Sequence, residues 1–411
     1  MRTVPTEHPW RPAGALLRRL AGFAAAAAFT GLLGACASPG PATTLAAASP
    51  LLHDDLFSPA PAPMGPDEIF ALSPAMRAFL ATQIEPRVSS VGRQRALFDA
   101  LSERGALRIA FDSAVTRTAA QTFEARSGNC LSLVIMTGAL ARELGLRVHY
   151  QDAFLEESWQ RNNDLLLQVG HVNVQLGPRV IDTGTHNQTT ELLVDFLPPS
   201  LLRNVRTREI PESTLVAMFQ NNRAVEALVR GNLDEAYAWS RASVRQEPGF
   251  LPEYNTLGVI YLRHGNLAQA GEVFSWVLQH DESNTRAMSN LADVLQREGR
   301  NAEAQQLFAR LARLDPEPPF HYFNLGVEAM KRKDYLAARK LFEREVSRAD
   351  YYHEFHYWLA LADYQLGRLE EAREELALAV ETSTSRHEHD LYAAKLSWLS
   401  AVRDKGLPVH Q

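Results

Sequence analysis

Cysteine is nearly absent from this chain of 411 residues: there are two, Cys36 and Cys130. A disulfide framework that staples the fold is therefore excluded as the source of its stability. Basic excess is absent too. Lys and Arg number 42 against 48 Asp and Glu, a net charge of -6, which argues against nucleic acid as a partner. After residue 35 no apolar run is long enough to span a bilayer. No glycine-rich phosphate loop follows a strand, and no histidine cluster has the spacing of a metal site, so no cofactor or metal is expected. His353 and His356 are three apart, where the helical zinc motif needs four, and read as a solvated helix face. Arg386–Asp390 reads as a charged loop.

What is present begins with an export pattern. Arg11, Arg18 and Arg19 precede the apolar stretch 21–33, and Leu33-Gly34-Ala35-Cys36 closes it. That tetrapeptide resembles the bacterial lipobox, which implies a signal peptide over 1–35 and a lipidated Cys36. Ala37 after the cysteine resembles lipoproteins of the outer membrane, facing the periplasm. Residues 36–66, rich in Pro, Ala and Ser, read as a flexible tether.

Residues 67–208 mix helical and strand-like patterns, and Cys130 is their most informative residue. It follows Ser127-Gly128-Asn129 and opens the apolar run 131–144, the start of a helix, where the dipole favours an anion. Downstream, Leu165–Leu176 alternates like a strand, and within Val169–Leu176 the alternation puts His171, Asn173 and Gln175 on one face. With Gly177-Pro178 as a two-residue turn, Asn173 pairs with Asp182, one diagonal step from His171. A thiol with an imidazole to take its proton, and a carboxylate to orient that imidazole, is the equipment of a cysteine nucleophile. The segment Phe123–Leu133, with Ala139-Leu-Ala-Arg-Glu-Leu-Gly145 after it, resembles the nucleophile segment of the transglutaminase-like superfamily. The resemblance implies a papain-like α+β fold, a catalytic triad of Cys130, His171 and Asp182, and acyl transfer, with hydrolysis of an amide or peptide preferred.

After residue 216 a period of 34 appears. Gly231, Gly265, Gly299 and Gly367 align, with Lys333 in the same place in the fourth block; Ala236, Ala270, Ala304, Ala338 and Ala372 align at another position. This is the tetratricopeptide pattern, and it predicts an all-α superhelix over 217–406, closed by a capping helix from 387 to 405. In proteins that this array resembles, certain positions of each first helix line a concave groove. Here they are Phe320, Phe323, Val327, Met330, Tyr357, Leu361 and Tyr364, expected either to hold a protein or peptide partner or to be covered within the chain. The expectation is an envelope lipoprotein with a thiol-dependent hydrolase or acyltransferase domain and partner-binding repeats; the alternative is a non-catalytic adaptor.

Overall fold

The computed structural model describes residues 49–101, 107, 109–113, 115–154, 159–162, 165–168, 170–179, 191–196, 206–383 and 385–404. Cys36, Asp182 and the region read as a signal peptide lie outside them.

Two 3₁₀ turns (Ser49–Leu51 and Asp54–Leu56) open the described chain. Four short helices follow, α1 (Pro66–Ile69), α2 (Pro74–Phe79), α3 (Glu85–Val91) and α4 (Arg93–Leu101), with a π-helical turn between α2 and α3. Strand β1 (Ala110–Phe111), helix α5 (Ala119–Ala125), strand β2 (Ser127–Gly128) and helix α6 (Cys130–Glu143) come next. β1 and β2 pair in parallel. The remaining strands are β3 (Leu146–Phe154), β4 (Trp159–Asn162), β5 (Leu165–Gln168), β6 (His171–Arg179), β7 (Leu192–Val194) and β8 (Arg206–Ile210). An antiparallel sheet runs in the order β7-β6-β3-β8, and β4-β5 forms a separate hairpin. One face of the sheet packs on α6: Leu133, Val134, Met136 and Leu140 share a core with Tyr150, Val172, Val174 and Leu176.

Two details of the strand reading change. The stretch 165–176 is not one strand, since β5 pairs with β4 while β6 pairs with β3. Gly177-Pro178 is not a hairpin turn. β6 runs through it to Arg179, and the register shift between Leu146 and Arg147 on β3 accommodates the proline, which has no N–H to give to a regular ladder. Asn173 consequently lies opposite Gln151 of β3.

The repeats are helix pairs α7 (Glu212–Val229) with α8 (Leu233–Gln246), α9 (Leu251–His264) with α10 (Leu267–His280), α11 (Thr285–Arg297) with α12 (Asn301–Leu314), α13 (His321–Lys331) with α14 (Tyr335–Arg348), and α15 (His353–Gln365) with α16 (Leu369–Thr382); α17 (Arg386–Asp404) closes the array. The periodic glycine ends the first helix of a pair in the left-handed region, as at Gly265 (φ 91°), and Lys333 takes that conformation at φ 61°. The other glycine of the repeat serves packing. A Cβ on Gly258 would lie 2.4 Å from the Phe274 ring, so only glycine lets α9 and α10 approach this closely. Arg386–Asp390 is the first turn of α17 rather than a loop, because Ser385 and Glu388 form a reciprocal capping box.

No linker separates the two regions at 208–217. The sheet extends to Ile210, α7 begins at Glu212, and Leu215, Val216, Phe219 and Trp239 belong to the same core as α6. The segment 49–66, read as tether, is likewise not free where the structure describes it. Leu51 is 5% exposed within the core of α7–α11, and Gln220 Nε2 of α7 donates to the Met64 carbonyl at 3.2 Å.

Candidate functional site

Cys130 is the first residue of α6, and the helix starts there for a local reason. Asn129 caps it, its Oδ1 accepting from the Ser132 amide (2.9 Å) and the Ser132 hydroxyl (2.8 Å), while its carbonyl accepts from Leu133 N. Asn129 itself is extended (φ -73°), so the left-handed residue of this loop is Arg126 at φ 51°. Gly128 is buried and tight: a Cβ there would be 2.8 Å from Ser132 Cβ. With Ser132 and Leu133 served by Asn129, the amides of Cys130 and Leu131 remain as the helix-start donors nearest the sulfur.

The imidazole of His171, at the head of β6, is 3% exposed. Its Nε2 faces both carboxylate oxygens of Asp195, at 2.9 and 3.0 Å, and the Cys130 sulfur is near enough to raise its pKa. Asp195, 5% exposed, also accepts from Asn173 Nδ2 at 3.2 Å. Cys130 Sγ lies 3.8 Å from the Gly170 carbonyl. Burial acts to depress the His171 pKa, but the Asp195 carboxylate and the Cys130 sulfur together outweigh it, and the pKa rises from 6.5 to about 9.

Cys130 and His171 thus come together as the pattern predicts. The carboxylate holding the imidazole is Asp195, whereas Asp182 lies outside the described residues. Val194 pairs with Val174, which sets Asp195 level with Asn173 and one diagonal step from His171. The strand that leads to this acid is β7. The apolar run Leu192-Leu193-Val194 ending in an aspartate was the available signal.

A polar network carries this loop to the first repeat helix. Thr116 Oγ1 accepts from Asn129 Nδ2 (2.9 Å) and from Asn222 Nδ2 of α7 (3.3 Å), while Thr116 N donates to Glu226 at 2.6 Å. A cavity of about 370 Å³ opens at the same junction, lined by Thr116, Arg117, Gln121, Phe219 and Arg223 among others, and not by Cys130. Gln121 is engaged in capping α5, accepting from Thr118 N at 3.1 Å.

The residues assigned to a partner groove fare differently. Phe320 (2% exposed) and Phe323 (0%) are core, packed on Phe342 and Phe355, with Val327 and Met330 against the same cluster. Tyr357 stacks on Tyr392 and Tyr364 meets Trp398 edge-on, so α17 covers both; Leu361 is half-buried. His353 and His356 are buried rather than solvated. They tie α15 to Tyr392 at 2.9 Å and to Glu375 at 2.7 Å. Among the described residues no group of three potential ligands is placed to hold a metal, and no helix is long and apolar enough to cross a membrane.

These helix pairs define a repeat protein, and the comparisons agree. Two tetratricopeptide repeat models match residues 261–323 and 323–386, so the C-terminal region carries tetratricopeptide repeats. No curated protein matches the chain. Among solved structures, it is similar to the MamA protein (18% identity, covering 42% of this chain and 93% of that one, TM-score 0.24). It is similar also to pilF of Pseudomonas aeruginosa (20%, 47% and 88%, 0.28) and to yeast Tom70 (12%, 47% and 41%, 0.33). The transglutaminase-like likeness, which spans roughly residues 115–190, rests on the sequence motif alone.

Proposed function

We propose that this chain is a protein-binding repeat module that carries a working thiol centre, with Cys130 as nucleophile, His171 as base and Asp195 as the residue that orients the imidazole. The repeats support the binding role, since stacked helix pairs of this class commonly hold polypeptides. One observation carries the chemistry: a buried imidazole held by a carboxylate, with the only cysteine after residue 36 near enough to raise its pKa.

In the proposed reaction His171, which holds a proton up to about pH 9, already carries the proton given up by Cys130, and the sulfur attacks an amide carbonyl carbon. The amides of Cys130 and Leu131 receive the oxyanion. The tetrahedral adduct collapses, the C–N bond breaks, and His171 returns the proton to the leaving amine. Water then attacks the thioester, His171 taking its proton, and a carboxylic acid leaves with the thiol restored. An amine in place of water makes the same centre a crosslinker.

The test is the rate of Cys130 alkylation by iodoacetamide at pH 7. His171→Ala should slow it by about 100-fold, the low end of what a positioned base contributes. Equal rates in both proteins would retire the catalytic reading. The second reading, a non-catalytic adaptor, is the one the repeat matches favour; it predicts that equality.

Placement in the envelope through a lipidated Cys36, on the outer membrane, belongs to the same proposal and is supported by the Leu33–Cys36 pattern. Cys36→Ala should move the protein from the membrane to the soluble fraction; continued sedimentation with membranes would count against it.

A further inference from the structure

Residues 51–58 are bound to the repeats as a ligand is bound to a receptor. Four side chains of α8, Asp234, Tyr237, Arg241 and Arg245, recur at helical spacing on one face, and each engages this segment. Tyr237 donates to Asp54 at 2.8 Å, and Arg241 and Arg245 reach the other oxygen of that carboxylate at 3.0 and 3.5 Å. Asp234 accepts from Ser58 N at 2.8 Å. From α9, the Tyr261 hydroxyl donates to the Leu51 carbonyl (2.8 Å) and accepts from His53 N (3.0 Å). Phe57 stacks on Tyr237, rings parallel within 5° and centroids 4.0 Å apart, with His264 at 4.6 Å on its flank. Leu51 is buried among the apolar side chains of α7–α11.

The contacts combine main-chain hydrogen bonds, a buried leucine, a carboxylate between two guanidiniums and an aromatic three residues later. Such a combination reads sequence rather than merely covering apolar surface. The sequence beyond Ser58, Pro59-Ala60-Pro61-Ala62, is mostly exposed.

We propose that the α8–α9 surface is a recognition site for an acidic–aromatic protein segment of the form Leu-x-x-Asp-x-x-Phe, occupied here by the chain's own residues 51–57. The proposal deepens the protein-binding reading of the repeats and is independent of the thiol chemistry. A partner bearing that pattern competes with an internal ligand whose effective concentration, for a short tether, is on the order of millimolar. Access is therefore governed by release of the internal segment.

The probe is a fluorescein-labelled peptide of residues 49–60, titrated by anisotropy against the detergent-solubilised full chain. Asp54→Ala with Phe57→Ala should weaken the internal ligand and tighten peptide binding at least tenfold over wild type. Adding Arg241→Glu to that variant should abolish the gain. No binding to the double variant, or equal binding to both proteins, with helical circular dichroism intact, would overturn the proposal. Arg241→Glu alone gives a second reading by hydrogen exchange. Faster exchange confined to the amides of His53 and Ser58 is expected, and unchanged protection would also overturn it. Both measurements report on α8–α9 alone, so a negative result leaves a binding role for α11–α16 standing.

Discussion

Replacing Asp195 by Asn tests the site through its proton rather than through a substrate. In the wild-type fold His171 titrates at about 9 against 6.5 when unfolded. A raised imidazole pKa contributes stability that is fully present below 6.5 and lost as pH rises through 9. The displacement of roughly 2.5 units, at about 1.36 kcal/mol each, gives about 3 kcal/mol, and His171 is too buried for solvent to screen much of it. Asn keeps the shape and removes the charge. Burial, the largest influence and one that opposes the imidazolium, is then opposed by the Cys130 sulfur alone. The variant should accordingly be less stable than wild type by about 3 kcal/mol at pH 6 and nearly equal to it above pH 9. Urea denaturation of both proteins at pH 6, 7.5 and 9 reads this directly, and because other titrating groups are shared, the difference isolates His171. A gap that stays constant across that range would refute the reasoning, since it would mean that Asp195 matters for packing and not for the charge on the imidazole.

Two further outcomes concern the repeats. Lys333→Gly should stabilise the protein by about 0.5–1 kcal/mol, because a left-handed lysine at φ 61° is relieved by the residue found at this position in four other blocks; thermal unfolding would show a small rise in Tm, and a fall would contradict the strain. Phe323→Ala should cost about 3–5 kcal/mol and unfold the α13–α16 region first, since the ring is fully buried among Phe320, Phe342, Phe355 and Trp358; a variant of unchanged stability would return Phe323 to the list of contact residues.

The buried aromatics show where pattern reading misleads. Positions that face a groove in one repeat array are filled here by large rings, and α17 lies over the last of them. Periodicity reports that a position is apolar, not which neighbour covers it. The N-terminal segment misleads in the opposite sense. Its Pro, Ala and Ser content reads as linker, yet Leu51, Asp54 and Phe57 are seated on α8 and α9. A handful of side chains binding a preformed surface leaves no periodic trace.

What the sequence determined by itself is what short range and repetition encode. The Asn129 cap and the apolar run after Cys130 start a helix at the thiol, alternation places His171 on a strand, and a 34-residue period stacks helix pairs whose glycines sit where backbone or packing demands them. Tertiary structure decided the rest. Which carboxylate reaches His171 depends on which strand pairs with β6, and a β-strand's partner is chosen by long-range packing that sequence separation conceals. The same holds for the joining of the thiol loop to α7 through Thr116, Asn222 and Glu226, and for the segment that fills the repeat surface: each is a contact between residues about a hundred or more apart, made by shape and charge after the elements have formed.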